Sequence, residues 1–305
     1  MVDLYDKVKP SKIEINPAAS EIKQLLNNYA RICNELNREI VKLKDAGDKK
    51  KLINKLKNLR KRADQSILDL TRNAVFWSKA AGPKSYLKGQ DLADFFIKKQ
   101  SRVVKKDGSV ITVIDLKPRD KVFIKNILDK ITEDLLREVN MINTSWKNRL
   151  DEIIRKGIRD TRSIALIKSP GLHGGLNTGE EIGTKIYKAL KDQGLKLMDR
   201  RGRYWEPERY VRMYSRTRTR EIQTQGIENR MADYGLDLVK ISEHLDVDGQ
   251  DICNDYEGNI YSLSGSHPRY PTLTVKTPFH PNCCHVETPW VEKYHKVLKE
   301  MKRSG

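Results

Sequence analysis

The sequence predicts a mainly α fold with a smaller α+β C-terminal part. Three observations predict this class. Apolar residues recur at three- and four-residue steps over long stretches, as in amphipathic helices. Short Val-, Ile- and Thr-rich runs flank turn residues, which indicates short β-hairpins. Cysteine, histidine, glycine and proline then concentrate near the C-terminus, which predicts a loop-rich Cys/His end.

The N-terminal part predicts a long helical hairpin. Residues 18–45 and 49–80 carry the helical pattern, and Gly47-Asp48 supplies the turn between them. Gly82-Pro83 is expected to end the second helix. Lysines are dense on the outer face of this hairpin, and they fit a solvated helix surface and a DNA-contacting surface equally well.

A β-hairpin, a long helix and a hinge are predicted next. Residues 102–115 have Asp107-Gly108 at their centre, a strong turn dipeptide. A helical stretch follows over 118–168, and 169–179 form a Gly/Pro-rich hinge. The hinge is not a phosphate-binding loop, because it lacks the Gly-Lys-Ser/Thr ending and no strand precedes it.

The remaining chain predicts short strands around a second long helix. A short helix covers about 180–193, and Leu195–Tyr210 indicate strand, turn, strand and helix start. Pro207 suits the first helical turn and Gly235 the C-cap. Leu236–Ser242 are a strand candidate. We therefore divide the sequence into a hairpin region, a helical connector, the hinge and a C-terminal domain: 1–117, 118–168, 169–179 and 180–305.

Charge and cysteine content restrict the class of protein. The formal net charge is +18, and a protein with so large an excess of positive charge usually binds a polyanion. We favour nucleic acid as that partner over the alternative that the charge serves only solubility. Four cysteines, one isolated and two adjacent, make no disulfide framework and indicate a reducing compartment. The sequence has neither a secretory signal nor a membrane-spanning run, so we expect synthesis in the cytosol.

A basic ridge is predicted on the helix over 207–234. Its arginines stand three or four residues apart and so share one face, and others precede or flank them. Contact with DNA phosphates is favoured over pairing with local acids or with an acidic protein. The predicted DNA-binding residues are Arg200, Arg201, Arg203, Arg209, Arg212, Arg216, Arg218 and Arg220.

Cysteine and histidine near the C-terminus predict a metal site. Thiolate and imidazole are the ligands that zinc prefers, and His280 and Cys283 flank a Pro-Asn turn. His285 and the distant Cys253 complete a four-ligand set for structural zinc. The alternative is that Cys253 is a buried small apolar residue and His280 bonds only to its own loop.

The acidic residues of the loop over 246–257 give a weaker pattern. Asp246, Asp248, Asp251 and Glu257 resemble a calcium loop in spacing, but Asp251 stands where glycine is required. With His280, these carboxylates allow an alternative function, a metal-dependent nuclease. No nucleophile with an activating base is evident, so we predict no enzyme activity.

An ordered series of motifs over about 200–290 resembles the Mu F-like minor head proteins of tailed phages, also called head morphogenesis proteins. One cysteine of the family's Cys-x-x-Cys is absent, because Tyr256 stands three residues after Cys253, and the family's final cysteine is here His285. The motifs that carry the resemblance are RTRTRE (Arg216–Glu221), Gly226, Asn229, Gly235, DLVKIS (Asp237–Ser242), Asp251 with Cys253, YEGNIYSLSG (Tyr256–Gly265), YPTL (Tyr270–Leu273) and PFHPNCCH (Pro278–His285).

The resemblance implies a minor capsid protein that acts in procapsid assembly at the portal vertex. Its expected partners are the portal protein, capsid or scaffolding proteins and double-stranded DNA, with a role in genome packaging or ejection. It would be located in the virion, inside the head near the portal, after assembly in the host cytoplasm. A host nucleic-acid-binding protein is the remaining alternative, and the order of the motifs disfavours it.

Overall fold

The computed structural model confirms a mainly helical chain with a few short antiparallel strand pairs. It describes residues 18–45, 48–105, 107–113, 124–166, 178–199, 201–243, 252–281 and 283–303. The helices are α1 Ala19–Val41, α2 Lys49–Gln100, α3 Ile124–Leu166, α4 Thr178–Ala189, α5 Pro207–Asp233 and α6 Glu292–Arg303. The strands are β1 Arg102–Val104, β2 Val110–Thr112, β3 Leu197–Met198, β4 Tyr204–Trp205, β5 Leu238–Ile241, β6 Ile260–Ser262 and β7 Glu287–Pro289.

The chain forms two compact units, each built from separate stretches of sequence. The hairpin unit comprises Ser20–Ser78 and Glu133–Arg212. The terminal unit comprises Lys79–Thr132 and Met213–Gly305, together with Met1–Ala19. These limits differ from the consecutive segments into which the sequence was divided. Residues 167–177, which include most of the predicted hinge, lie outside the described residues.

Apolar stripes from α1, α2 and α3 make the core of the hairpin unit. The fully buried Tyr29 of α1 stacks on Trp146 of α3, with ring centroids 6.2 Å apart. The Tyr29 hydroxyl donates a hydrogen bond to Asn143 Oδ1, which gives each of these two buried oxygens a partner. The predicted N-terminal helical hairpin is thereby confirmed, with the third helix completing its core.

The prediction that Gly82-Pro83 ends the second helix was wrong. The helix α2 continues through Pro83 to Gln100. Proline removes one intrahelical hydrogen bond and crowds the preceding turn, but packing on both sides outweighs this local cost. Ala81 and Ala93 are fully buried and Tyr86 is 1% exposed, so the helix is held on both sides of Pro83.

The terminal unit places a three-stranded sheet against two helices. The strands lie in the order β6-β5-β7, and both pairings are antiparallel. Their inner side chains pack with residues of α2 and α5, and this core comprises Ala93, Ile97, Ile227, Met231, Val239, Ile241, Tyr261, Leu273 and Val286. The alternation of apolar residues in LDLVKIS therefore reflects a strand at the centre of the sheet, with a partner on each side.

Two glycines let α2 and α5 approach closely within the terminal unit. A Cβ added to Gly89 would lie 2.0 Å from the Gln223 carbonyl oxygen, and one added to Gly226 would lie 2.2 Å from that of Tyr86. Only glycine fits at such a backbone-to-backbone contact. Asn229, one turn further along α5, donates to the Tyr86 hydroxyl at 3.0 Å. Gly226 and Asn229, both part of the motif series, thus join these two helices.

The smaller predicted elements are also present. The strands β1 and β2 pair around Asp107-Gly108, with Gly108 at φ 80° as the turn requires. The strands β3 and β4 pair ahead of α5, which begins at Pro207 as predicted. Gly235 follows α5 at φ 67°, and the Leu236 amide donates to the Met231 carbonyl. No helix in the described parts of the chain combines the length and apolarity needed to cross a membrane.

Candidate metal centre

Two loops at one end of the sheet bring Cys253, His280 and Cys283 together. Cys253 lies in a 3₁₀ turn, Ile252–Asp255, between β5 and β6. His280 and Cys283 lie just before β7, in a turn closed by the Cys283 amide donating to the His280 carbonyl at 3.0 Å. One ligand atom from each of the three residues lies within 4.8 Å of the other two. We call these three residues the Cys/His cluster.

The spacing of the cluster fits tetrahedral zinc. The Cys253 and Cys283 sulfur atoms are 3.8 Å apart, too far for a disulfide, and both cysteines are free thiols. Two thiolates bound to one zinc at about 2.3 Å stand about 3.8 Å apart in tetrahedral geometry. Both cysteines are buried, at 2% and 5% exposure, so a metal there would be shielded from water. Two packed, uncharged thiols also fit this distance.

His280 has one ring nitrogen bonded to its own loop. Its Nδ1 lies 2.8 Å from the Pro281 carbonyl oxygen, so in the tautomer that makes this hydrogen bond Nδ1 carries the proton. The lone pair then lies on Nε2. A backbone carbonyl that fixes the tautomer in this way is a common feature of histidines that bind metal. The bond to its own loop, proposed as the alternative to metal binding, is therefore compatible with it.

His285 lies next to the cluster but is not one of its three members. Its Nδ1 is 3.5 Å from the Cys283 sulfur, and its Nε2 is 2.5 Å from Glu257 Oε1. The first distance matches the separation of about 3.6 Å between sulfur and nitrogen ligands of one tetrahedral zinc. The second is the carboxylate–imidazole bond that orients metal-binding histidines. The structure thus brings together three of the four predicted ligands and places the fourth at their edge.

The electrostatics of this pair favour charged forms despite burial. Burial acts to raise the pKa of the Cys283 thiol, but hydrogen bonds with His285 and with backbone groups lower it to about 7. Burial acts to lower the pKa of His285, but its bonds to Cys283 and Glu257 raise it. The thiolate is the form that zinc binds, and His285 would give up its proton on binding the metal, because only a neutral imidazole is a zinc ligand.

Arg220 holds the loop that carries the cysteines, and it is not a surface residue. It is 5% exposed, and its guanidinium donates to the carbonyl oxygens of Cys284 and His285, both at 2.7 Å. Burial lowers its pKa. The sequence interpretation of Arg220 as a DNA contact is therefore corrected. Its role in the loop was missed because no local pattern marks it: the carbonyls that it holds lie 64 and 65 residues further along the chain.

Tyr256 fills the position where the resemblance leads us to expect a second cysteine. Its ring stacks on Phe279, with centroids 4.5 Å apart, and Phe279 lies 6.1 Å from the His285 ring. An aromatic stack therefore covers this side of the Cys/His cluster. Glu257, the next residue, was read as part of an acidic loop and instead bonds to His285. Asp246, Asp248 and Asp251 of that loop lie outside the described residues.

The predicted basic ridge has a different environment at each end of α5. Arg209 and Arg212 are exposed, Arg216 and Arg218 are half-buried, and Arg220 is buried. Arg212 pairs with Glu208 at 2.7 Å, and Arg218 pairs with Glu221. In the preceding turn, Arg201 is exposed and the exposed Arg203 pairs with Asp199 at 2.8 Å. Arg200 lies outside the described residues. Local carboxylates thus form ion pairs with several of the arginines, as in the alternative in which these arginines pair with local acids.

These features define a basic, mainly helical protein whose C-terminal α+β part carries a largely buried Cys/His cluster in the loops before β6 and β7. Residues 97–302 match the family described as Phage minor capsid protein 2, and because this is more than half of the chain, the chain belongs to that family. It is thus a phage capsid component with a structural role in the virion. Comparison with curated proteins and with solved structures gave no significant match.

We expect Arg220→Met to destabilise the protein far more than Arg212→Met. Without the guanidinium, two carbonyls beside the cluster lose their donor, and the free energy of unfolding should fall by about 2–4 kcal/mol. The Arg212 side chain is 45% exposed, so its change should stay within about 0.5 kcal/mol. Urea unfolding measures both. Equal effects of the two substitutions would contradict the structural role of Arg220.

Proposed function

We propose that this minor capsid protein is of the Mu F-like kind and acts in procapsid assembly at the portal vertex. It contacts the portal protein and capsid or scaffolding proteins, binds double-stranded DNA without sequence preference, and aids genome packaging or ejection. Assembly takes place in the host cytoplasm, and the mature protein lies inside the head. The family membership and the motif series over about 200–290 support this proposal.

The net charge of +18 is the observation that carries the DNA-binding part. A capsid component with such an excess repels itself unless a polyanion neutralises it, and the packaged genome is the polyanion inside a head. Non-specific binding needs only lysine and arginine near phosphates. Of the predicted ridge, the exposed Arg201 and Arg209 are candidates for phosphate contact, with the half-buried Arg216 and Arg218 beside them. The exposed Arg203 and Arg212 would exchange their pairs with Asp199 and Glu208 for phosphates.

The helical hairpin is the proposed docking element for the portal. Leu68 and Phe76, two turns apart on α2, are 54% and 57% exposed. A partner that covered both side chains would remove their apolar surface from water, which favours docking here. Both residues lie in the hairpin unit.

We expect Phe76→Asp to weaken incorporation of the protein into heads. A charge at this position disfavours an apolar contact without disturbing the buried core. Lys23→Asp, on the exposed surface of α1, is the control and should leave incorporation unchanged. Quantitative immunoblotting of purified heads, with crosslinking from α2 to the portal, measures the effect. Normal incorporation of the Phe76 variant, or crosslinks to other proteins alone, would refute this docking surface.

We further propose that the Cys/His cluster binds one structural zinc ion through Cys253, His280 and Cys283, with His285 as fourth ligand. The support is the sulfur–sulfur distance, the fixed tautomer of His280 and the Glu257–His285 bond. The ion would supply a cross-link between two loops that have few apolar residues of their own. No turnover step is assigned to it, because a site with four protein ligands has no open position for substrate.

We expect about one zinc per chain in protein purified without chelator. Cys283→Ser should lose the metal and lower the thermal midpoint, because one thiolate ligand is gone. Cys284→Ser is the matched control: this half-buried neighbour lies outside the cluster and should keep the metal. Elemental analysis with thermal unfolding gives both readouts. Metal-free wild-type protein, or equal metal in both variants, would rule out the site.

The experiment for the whole proposal is DNA binding as a function of salt. With about four phosphate contacts, affinity for duplex DNA should fall about 100-fold between 50 and 200 mM salt and should not depend on sequence. The same reactions, incubated with Mg²⁺ or Mn²⁺, test the alternative nuclease function. Nicking that is lost in Asp251→Ala and His280→Ala would replace a structural role with an enzymatic one. No binding at low salt would refute the DNA-binding part.

A further inference from the structure

A cleft in the hairpin unit is lined almost entirely by charged residues. It lies between α2 and α3, and of its seven lining residues five are cationic: Lys57, Arg60, Lys61, Arg155 and Arg159, with Asp64 and Ile158. We call it the basic cleft. Its volume is about 480 Å³, and it opens to solvent. Its two walls come from segments about 90 residues apart in sequence, so no run of residues reveals it.

The carboxylates at the cleft do not neutralise it. Asp151 is shared, with Arg60 at 3.2 Å and Arg155 at 3.5 Å. Asp64 pairs with Lys147, which lies outside the lining, at 3.0 Å. Within the described part of the chain, no carboxylate forms an ion pair with Lys57, Lys61 or Arg159. With Lys147 and Asp151 included, six cations face two carboxylates.

The cations form two rows of regular spacing. Lys57 and Lys61 are four residues apart on α2, as are Arg155 and Arg159 on α3, so each pair is separated by about 6 Å along its helix. Asp151 pairs with Arg60 of α2 and with Arg155 of α3, so one carboxylate links the two helices at the cleft. Lys57, Lys61 and Arg159, which have no ion pair with any described residue, are exposed, so a ligand reaches them without displacing a carboxylate of that part of the chain.

We infer that the basic cleft is a binding surface for the phosphate backbone of double-stranded DNA. An acidic protein is the competing partner, but the centres of protein interfaces are depleted of charged residues, and six of the seven residues that line this cleft are charged. Binding of a polyphosphate backbone requires only closely spaced cations on the protein. The inference rests on the proposed DNA-binding function and names a surface that would bind the DNA. This surface lies outside the basic ridge.

The test compares three triple substitutions in the full chain. The cleft variant carries Lys57→Gln, Lys61→Gln and Arg159→Gln. A matched control carries Lys23→Gln, Arg38→Gln and Lys188→Gln, which removes the same charge from exposed positions in the same unit. A ridge variant carries Arg201→Gln, Arg209→Gln and Arg212→Gln. All nine residues are exposed, so folding should be preserved, and thermal unfolding verifies this.

The readout is the slope of log K against log salt concentration with a duplex of random sequence. If all three cleft cations contact phosphates, the slope should lose about 2.7 in magnitude, so that the loss of affinity between 50 and 200 mM salt shrinks by about 40-fold. The control should keep nearly the wild-type slope. The same series with polyglutamate tests the acidic-protein partner.

Three outcomes would overturn the inference. Equal slopes for the cleft variant and the control mean that general charge, not the cleft, binds DNA. A loss of salt dependence confined to the ridge variant assigns the DNA-binding surface to the basic ridge. A loss for polyglutamate alone assigns the cleft to an acidic protein. In the first two outcomes wild-type DNA binding remains and the proposed function stands; if the wild type binds no DNA, both fail.

Discussion

The position of the candidate site depends on the backbone contact between α2 and α5. At Gly89 and Gly226 each helix approaches the other more closely than any side chain allows, and this fixes their separation and their register. Arg230 then forms a two-pronged ion pair with Asp94, at 2.7 and 2.9 Å, about one turn beyond Gly226 on α5 and Gly89 on α2. With the helices fixed, α5 presents Arg220 to the loop before β7. The position of the loop that carries Cys283 therefore depends in part on a contact made by two residues that have no side chain.

Much of the secondary structure could be predicted from the sequence because its signals are local. The turn at Asp107-Gly108, the start of α5 at Pro207 and the cap at Gly235 each follow from the backbone preference of one or two residues. The course of α2 through Pro83 could not be predicted in this way. Local preference disfavours a helix there, and the packing of Tyr86 and Ala93 against residues far along the chain decides the outcome.

The candidate site shows the same division. Cys253, His280 and Cys283 were identifiable because thiol and imidazole are rare and their chemistry is specific. The orientation of His285 by Glu257 could not be identified from the sequence, because these two residues meet only when the folded sheet brings their loops together. The arginines of α5 illustrate a limit of helical periodicity. Spacing places Arg212 and Arg220 on one face, but it does not say what covers that face: Arg212 is exposed and Arg220 is buried.

The interleaved make-up of the two units has a consequence for the order of events on the ribosome. Every residue of the hairpin unit precedes Met213, whereas Lys79–Thr132 belong to a core whose other half follows that residue. The apolar side of α2 at Ala93 and Ile97 is thus synthesised more than 100 residues before Ile227 and Met231 can cover it. During that interval the nascent chain carries an uncovered hydrophobic surface, which makes it a target for host chaperones and for premature association. The terminal unit must therefore be the later of the two to fold.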